Sequence, residues 1–415
     1  MGQRLLLITG NFSPELNGIG KYNGEMIRWL AAKGYECTVI TSYPYYPQWR
    51  VQSPYDNKKY RYTREKWTDG DERIDFVTIH RCPQYIPASP SGTRRVLQDM
   101  SFFFSSGWKL MQVLFSRKFD VVMTVSPSFQ LGLLGAFYKR VGRAKFIYHI
   151  QDLQIEAARN LNMIRSKWLI RRLLRVEKFI LKRADVVSSI SEGMIRMIKE
   201  KAGKDISSFP NWVDLQRFYP VPDRDILKTK SGFEKDDKVI LYSGVLGEKQ
   251  GLESILYAAS VLKHRASVKF VICGSGPHRS RLQALAESME LLNVRFLPLQ
   301  PVEQFNDFLN MADVHLVIQK NEASELVMPS KLTTIMAVGG IAIITANKGC
   351  SLYELVKQHE IGLLIDSGDE AALAAAIDRA VTTDLSGLAR NARNYATTCL
   401  SKEEIMTRFE AVLRS

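Results

Sequence analysis

The chain has 415 residues, 46% apolar and 24% charged, which excludes wholesale disorder and exceeds one ordinary core, so two or three domains are expected. Its 57 lysines and arginines against 43 acids leave a net charge of +14, which calls for an anionic partner: nucleic acid, anionic lipid or a phosphorylated substrate. Five cysteines, with no CxxC spacing, exclude a disulfide framework and a zinc site and point to a reducing compartment.

In chain order, short apolar runs alternate with helix-length segments. RLLLITG (4–10) comes first and is too short for the apolar region of a signal peptide. No later apolar stretch reaches the ~20 residues that span a bilayer. NFSPELNGIGKY (11–22) then leads into a helix from Lys21 to about Lys33. CTVITS (37–42) predicts a strand. Residues 43–73, with YPYYPQW and then mixed charge, lack periodicity and read as a long loop. DFVTIH (75–80) is a strand, and residues 94–118 show helical spacing of apolar side chains. DVVMTVS (120–126), KFIYHI (145–150) and DVVSSIS (185–191) are strands, with a basic helical segment at 164–183. Residues 207–225, rich in proline and turn formers, read as a linker. KVILYSG (238–244), VKFVICG (268–274), VRFLPL (294–299), DVHLVIQ (313–319), IAIITA (341–346) and IGLLID (361–366) are the strands of a second half, and the chain closes on a helical pattern. Continuous rather than alternating apolar runs suit parallel strands covered on both faces, and their alternation with helices predicts doubly wound α/β units.

Three turns and one strand end could carry chemistry. Gly18 and Gly20 sit between a strand and a helix, where free N–H groups favour an anion. There is no GxGxxG, and a plain tight turn explains them equally well. Gly274 and Gly276 precede Pro277, which suits a first helical position, and this too could be a simple βα turn. Pro329 and Ser330 start a third helix with Lys331 in its first turn, where a lysine opposes the helix dipole unless an anion binds there. KFIYHI runs on to Asp152 and Glu156. Here His149 is either a satisfied strand residue or a site residue, and Asp152 a helix cap or a site residue.

NGIGKYNGEMIRWLAAKGYECTVIT, PNWVD (210–214), YSGVLGEKQGLE (242–253), CGSGP (273–277) and VMPSKLTTIMAVGG (327–340) resemble, in order and over nearly the whole chain, the retaining glycosyltransferases of family 4. The resemblance implies the GT-B fold: two Rossmann-like doubly wound α/β domains facing an interdomain cleft, with a C-terminal helix crossing back to the first. The expected division is 1–206 for an acceptor-binding domain, 207–395 for a nucleotide-sugar-binding domain and 396–415 for the returning helix. By the same resemblance Gly18 and Gly20 face the donor diphosphate and the acceptor. Gly244 and Lys249 belong to the donor-phosphate loop, and Gly274 and Gly276 to the nucleotide-domain turn. Arg295 and Leu297 lie in the stretch that meets the base, and Asn211 and Asp214 in the interdomain stretch. The motifs depart from the family where Val245 and Gln250 replace an arginine and a lysine on the donor phosphates. Lys331, with Ser330 and the helix start, is the expected substitute. Of the family's paired glutamates the second falls on Thr334. Glu325, with Glu322 behind it, is taken as the sugar-facing acid. Asp152 and His149 are the candidates to polarise the acceptor hydroxyl or steady an oxocarbenium-like charge. A nucleoside diphosphate is a good leaving group, so charge stabilisation matters more than a dedicated base. Neither a metal nor another cofactor is expected.

Residues 164–183 hold eight lysines and arginines against one glutamate. Lys167, Arg171, Arg175, Lys178 and Lys182 share one helical face; Leu169, Leu173, Val176 and Ile180 share the opposite one. Such a helix can pack its apolar face inward and offer its basic face to anionic lipid. Trp108, or the edge from Phe102 to Phe104, is the expected membrane contact of the helix at 94–118. The expected protein is cytoplasmic and peripheral on the inner face of the membrane. It would transfer L-fucose from GDP-fucose to a polyprenyl-diphosphate-linked saccharide in exopolysaccharide biosynthesis of the colanic acid kind. The alternatives are a UDP-sugar donor, a nucleotide-sugar epimerase, and a basic nucleic-acid-binding protein. The last lacks an aromatic-basic RNA motif or a helix-turn-helix pattern.

Overall fold

Leu5, Leu6, Leu7 and Ile8 are all fully buried. Successive strand side chains point to opposite faces, so four in a row require a sheet covered on both sides. They belong to β1 (Arg4–Thr9), which has a parallel neighbour on each edge. The computed structural model describes residues 2–15, 18–46, 48–69, 72–88, 92–116, 118–156, 166–319 and 329–415, with backbone alone at 68–69, 72–75, 116, 167 and 249.

The first sheet contains β1, β2 (Glu36–Ser42), β3 (Thr63–Asp69), β4 (Glu72–Cys82), β5 (Val121–Ser126), β6 (Lys145–Ile150), β7 (Val186–Ser189) and β8 (Ser207–Ser208). Their spatial order is β3-β4-β2-β1-β5-β6-β7-β8. Every pairing is parallel except β3 with β4. The expected loop at 43–73 is therefore corrected. Its second half forms β3, and Asp56–Lys58 is a short 3-10 turn. An edge strand keeps one face and one edge in water, so TREKWTD never shows the apolar run that marks the central strands. What fixes it is Arg81 of β4, 1% exposed, whose Nε donates to Glu65 Oε1 at 2.6 Å. A second correction concerns the first helix, Gly18–Ala32, which opens at Gly18 rather than Lys21.

The second sheet contains β9 (Lys238–Ser243), β10 (Val268–Cys273), β11 (Val294–Leu297), β12 (Val314–Val317), β13 (Ile341–Thr345) and β14 (Leu363–Ile365). Their order is β11-β10-β9-β12-β13-β14, all parallel. Strand order reverses between β9 and β12 here, and between β1 and β5 in the first sheet. In doubly wound sheets ligands bind beyond the strands' carboxyl ends at such a switch point.

The chain divides into two units, Met1–Pro210 with Met406–Ser415, and Asn211–Ile405. Thus helix Lys402–Arg414 leaves the second unit and ends in the first. There Phe409 stacks on Phe209 with ring centroids 4.0 Å apart, and Lys145 Nζ donates to the Val412 carbonyl at 2.5 Å. Phe409→Ala should destabilise the first unit by about 3–5 kcal/mol, the cost of emptying a buried aromatic site. Urea unfolding followed by a probe in that unit measures it.

Candidate functional site

The second unit's switch point is built by two turns pressed together. The amide of Gly244, just past β9, donates to the Cys273 carbonyl at 3.0 Å, and that of Leu246 to Ser275 at 2.9 Å. The His278 amide returns a bond to the Leu246 carbonyl at 3.0 Å. Gly274 and Gly276 take φ of +152° and +156°, a conformation open to glycine. A Cβ on Gly274 would overlap the Gly244 carbonyl, and one on Gly276 the carbonyl of Leu246. Both glycines are thus required by backbone contact between turns, whatever else binds there.

Lys331 reaches this seam from helix Ser330–Ala337, which lies between β12 and β13. Its Nζ sits 3.8 Å from the centroid of the Tyr242 ring and 2.9 Å from where a Cβ on Gly244 would be. The Tyr242 hydroxyl donates to the Val245 carbonyl at 2.9 Å, which fixes the ring. The side chain is part-exposed overall, but its amine lies against the ring, and burial pulls it down to about 7. The ring's negative face favours the ammonium form and opposes that shift. Among the described residues no side chain caps this helix's N-terminus; Pro329 stands at that position. An amine and an uncapped helix start beside glycine turns form a site for an anion.

Other expected donor residues lie elsewhere or are already engaged. Leu297 ends β11, and its carbonyl accepts from the Gly274 amide at 3.2 Å. Arg295 is two residues further back. Its Nη1 donates to the Gly232 carbonyl at 2.8 Å and its guanidinium lies 4.5 Å from the Phe233 ring centroid, tying it to a different turn. The Thr334 hydroxyl is spent on the Lys331 carbonyl at 2.9 Å. Ser330 is exposed at the helix start. Lys249 lies in the 3-10 turn Glu248–Gln250, its side chain outside the described residues, as are Glu322 and Glu325 entirely. Arg279 escaped the sequence reading. Its Nη1 donates to the carbonyls of Gly274 at 2.8 Å and Leu297 at 3.0 Å, clamping the ends of β10 and β11. It opens helix Arg279–Ser288, so it carries the same sign, a cation at the wrong end of a helix, that singled out Lys331.

In the first unit Gly18 and Gly20 lie in the first turn of helix Gly18–Ala32; Gly18 is exposed with open space about it, and Gly20 is buried. His149 lies within β6 and is 2% exposed. Its Nδ1 pairs with the Ser188 hydroxyl at 3.0 Å, its ring edge meets Phe209, and burial lowers its pKa to about 3. A neutral, enclosed imidazole of this kind is a sheet residue. Asp152 follows the strand, its carbonyl accepting from the Ser126 hydroxyl at 3.3 Å. Glu156 instead joins Lys201 at 2.7 Å, which also holds Glu177.

Two acids that the sequence reading passed over stand near the Tyr45 hydroxyl at this unit's switch point. Glu15 is 3% exposed and accepts from Asn11 Nδ2 at 2.8 Å and the Tyr46 amide at 3.0 Å. Asp99 accepts from Ser128 Oγ and Gln154 Nε2, each at 2.9 Å. Burial raises both carboxyls, and burial, Glu15 and Asp99 together raise the Tyr45 hydroxyl.

On the outer surface of the first unit, helix Lys167–Arg183 exposes Arg171, Arg175, Lys178 and Lys182 and buries Ile180. The Lys167 side chain is outside the described residues. Trp108 is 62% exposed on helix Gly92–Ser116, whereas Phe102 is buried. Among the described residues no helix is long and apolar enough to cross a membrane, and no three His, Cys, Asp or Glu side chains group as metal ligands would.

Comparison with known proteins follows this geometry. The family model for glycosyl transferases group 1 matches residues 223–398, and that for a glycosyl transferase 4-like domain residues 17–212. The chain is 36% identical over 416 aligned positions to WcaI of Escherichia coli (strain K12), whose name places it in colanic acid biosynthesis as a glycosyl transferase. The alignment covers 98% of each chain. Sucrose-phosphate synthase from Thermosynechococcus elongatus superposes with a TM-score of 0.72 at 19% identity, over 99% of this chain and 98% of that one. Anabaena HepE in complex with UDP does so with a TM-score of 0.70 at 15% identity, over 99% and 100%. The α/β fold is thus that of GT-B enzymes.

Two outcomes test the seam. Lys331's folded pKa lies below its ordinary 10.5, so above pH 7 the unfolded chain binds more protons and stability rises with pH. Calorimetry of the unliganded protein from pH 7 to 9.5 should show that rise, and Lys331→Met should flatten it. Gly274→Ala should cost the second unit about 1–3 kcal/mol by forcing the turns apart, read from its urea midpoint.

Proposed function

The chain belongs to the group 1 glycosyltransferases, with a glycosyltransferase 4-like first half, and on that premise we propose that it transfers L-fucose from GDP-fucose, with retention, to a polyprenyl-diphosphate-linked saccharide in exopolysaccharide synthesis. The observation that carries the donor side is Lys331 held on Tyr242 beside the Gly244 turn, at the switch point of the second sheet. An amine with a lowered pKa takes up a proton as a diphosphate arrives, and the leaving group then departs from a neutralised site. Lys331 thereby stands in for the cations missing at Val245 and Gln250. Glu325 steadies the sugar, and Asp152 polarises the acceptor hydroxyl. Positive charge from Lys331 and the helix start serves where a metal otherwise would, so EDTA leaves the rate unchanged. Colanic acid synthesis in the name of the Escherichia coli relative supports the exopolysaccharide context. The basic face of helix Lys167–Arg183 and the exposed Trp108 support a seat on the cytoplasmic face of an anionic membrane.

A second reading, a UDP-sugar donor, draws on Anabaena HepE, solved in complex with UDP and glucose. A panel of nucleotide sugars separates the two. At a hundredfold excess over Kd the true donor stabilises the fold by about 2.7 kcal/mol, seen as a rise in Tm. GDP-fucose is the expected hit, followed by transfer of labelled fucose to a lipid-linked saccharide. Lys331→Ala should weaken donor binding about 10- to 100-fold, as loss of a charge-assisted bond does. Unchanged affinity in that variant would remove Lys331 from the diphosphate site.

A further inference from the structure

Helix Gly92–Ser116 is apolar on two opposite faces. One packs on the first sheet through Phe102, Leu110 and Val113, all buried. The other carries Leu97, Phe104, Trp108, Met111 and Phe115, in helical register and between 36% and 84% exposed. Along the flank between these faces, helix and sheet part to leave a cavity of about 490 Å³. Arg64 and His80, partners across β3 and β4, line it from the sheet, with the partners Thr38 and Thr78 beside them. Lys109 and Gln112 line it from the helix, the lysine's Nζ donating to Gln112 Oε1 at 2.6 Å and lying 5.2 Å from the Tyr62 ring centroid. The Nδ1 of His80 is buried with no hydrogen-bond partner among the described residues. No carboxylate lines the cavity among the described residues, so its cations face one another uncompensated. Burial, then Lys109 and Arg64, lower the His80 imidazole to about 4, as expected where an anion is wanting. Tyr60 and Phe76, 78% and 58% exposed, add aromatic surface on the same edge of the sheet.

We propose that this cavity seats the phosphate of an anionic phospholipid while the Leu97, Phe104, Trp108, Met111 and Phe115 face lies among its acyl chains. The pairing of an apolar stripe with a cationic, hydroxyl-lined pocket on one flank matches a lipid, which carries both halves in one molecule. Thr38 and Thr78 lie four residues, about 13 Å along the strand, before the carboxyl ends of β2 and β4, so the pocket stands apart from the level at which a doubly wound sheet binds its substrate. The inference rests on the membrane part of the proposed function and shares no residue with the donor site, so either can fail alone.

Co-sedimentation with vesicles tests it. Phosphatidylcholine vesicles carrying phosphatidylglycerol are compared with vesicles given equal negative charge by oleate. The protein should prefer phosphatidylglycerol several-fold, and Arg64→Gln with Lys109→Gln should lower that binding about tenfold and abolish the preference. Equal binding to both vesicle types, or full preference in the double variant, overturns the proposal. Melting of the double variant without lipid verifies its fold. The control Arg171→Gln with Arg175→Gln should weaken both vesicle types alike. Loss of the preference in that control instead would move phosphate recognition to the basic helix. The donor stabilisation assay on the double variant keeps the two readings distinguishable, since neither Arg64 nor Lys109 belongs to the donor site.

Discussion

Where the chain leaves β9 and β10, the carbonyl of Gly244 fills the space that a side chain at Gly274 would need, and the carbonyl of Leu246 does the same at Gly276. Two backbones at this distance bond amide to carbonyl, and that seam fixes the level at which both strands end. Tyr242 lies just before it and turns its hydroxyl onto Val245, so the ring becomes a platform. Lys331 rests on that platform. Remove the glycines and the ring loses its support, the amine loses its ring, and the uncapped helix start loses its neighbouring charge. A site for an anion here is thus assembled from backbone contact first and charge second.

The two units handle charge differently. In the second, one desolvated amine is concentrated at the switch point, where its protonation responds to what binds. In the first, Glu15, buried, and Asp99, half-buried, stand at the equivalent place, and desolvation lifts both carboxyls above the ordinary range against the amides and hydroxyls that hold them. Positive charge lies instead on exposed faces such as Arg171, Arg175, Lys178 and Lys182 of helix Lys167–Arg183, where it is screened and available for long-range attraction.

Twelve strands were legible as apolar runs, most plainly the central parallel ones, which bury both faces. KVILYS and VVMTVS need no partner to declare themselves. TREKWTD did not, since an edge strand antiparallel to its neighbour keeps polar residues, and Arg81, which anchors it, is distant in sequence. The glycine turns and Lys331 were legible through local rules about φ and helix dipoles. Arg279 obeys the same rule and was passed over because Pro277 already accounted for the helix start. The approach of Glu15 and Asp99 to Tyr45 was out of reach, since it brings together a loop and a helix more than eighty residues apart and nothing local to either acid records it. His149 is the reverse case, a residue type that invites chemistry in a position that the strand pattern had already assigned to the core.

The first unit is made of two separated pieces of chain, ending at Pro210 and resuming at Met406. Synthesis proceeds at ~5–20 residues/s, so about 10–40 s pass between the emergence of Phe209 and that of Phe409, the ring that covers it. During that interval the second unit emerges while the first still presents an unclosed edge at Lys145 and Phe209. The domain that is begun first therefore cannot close until the whole of the second has been made.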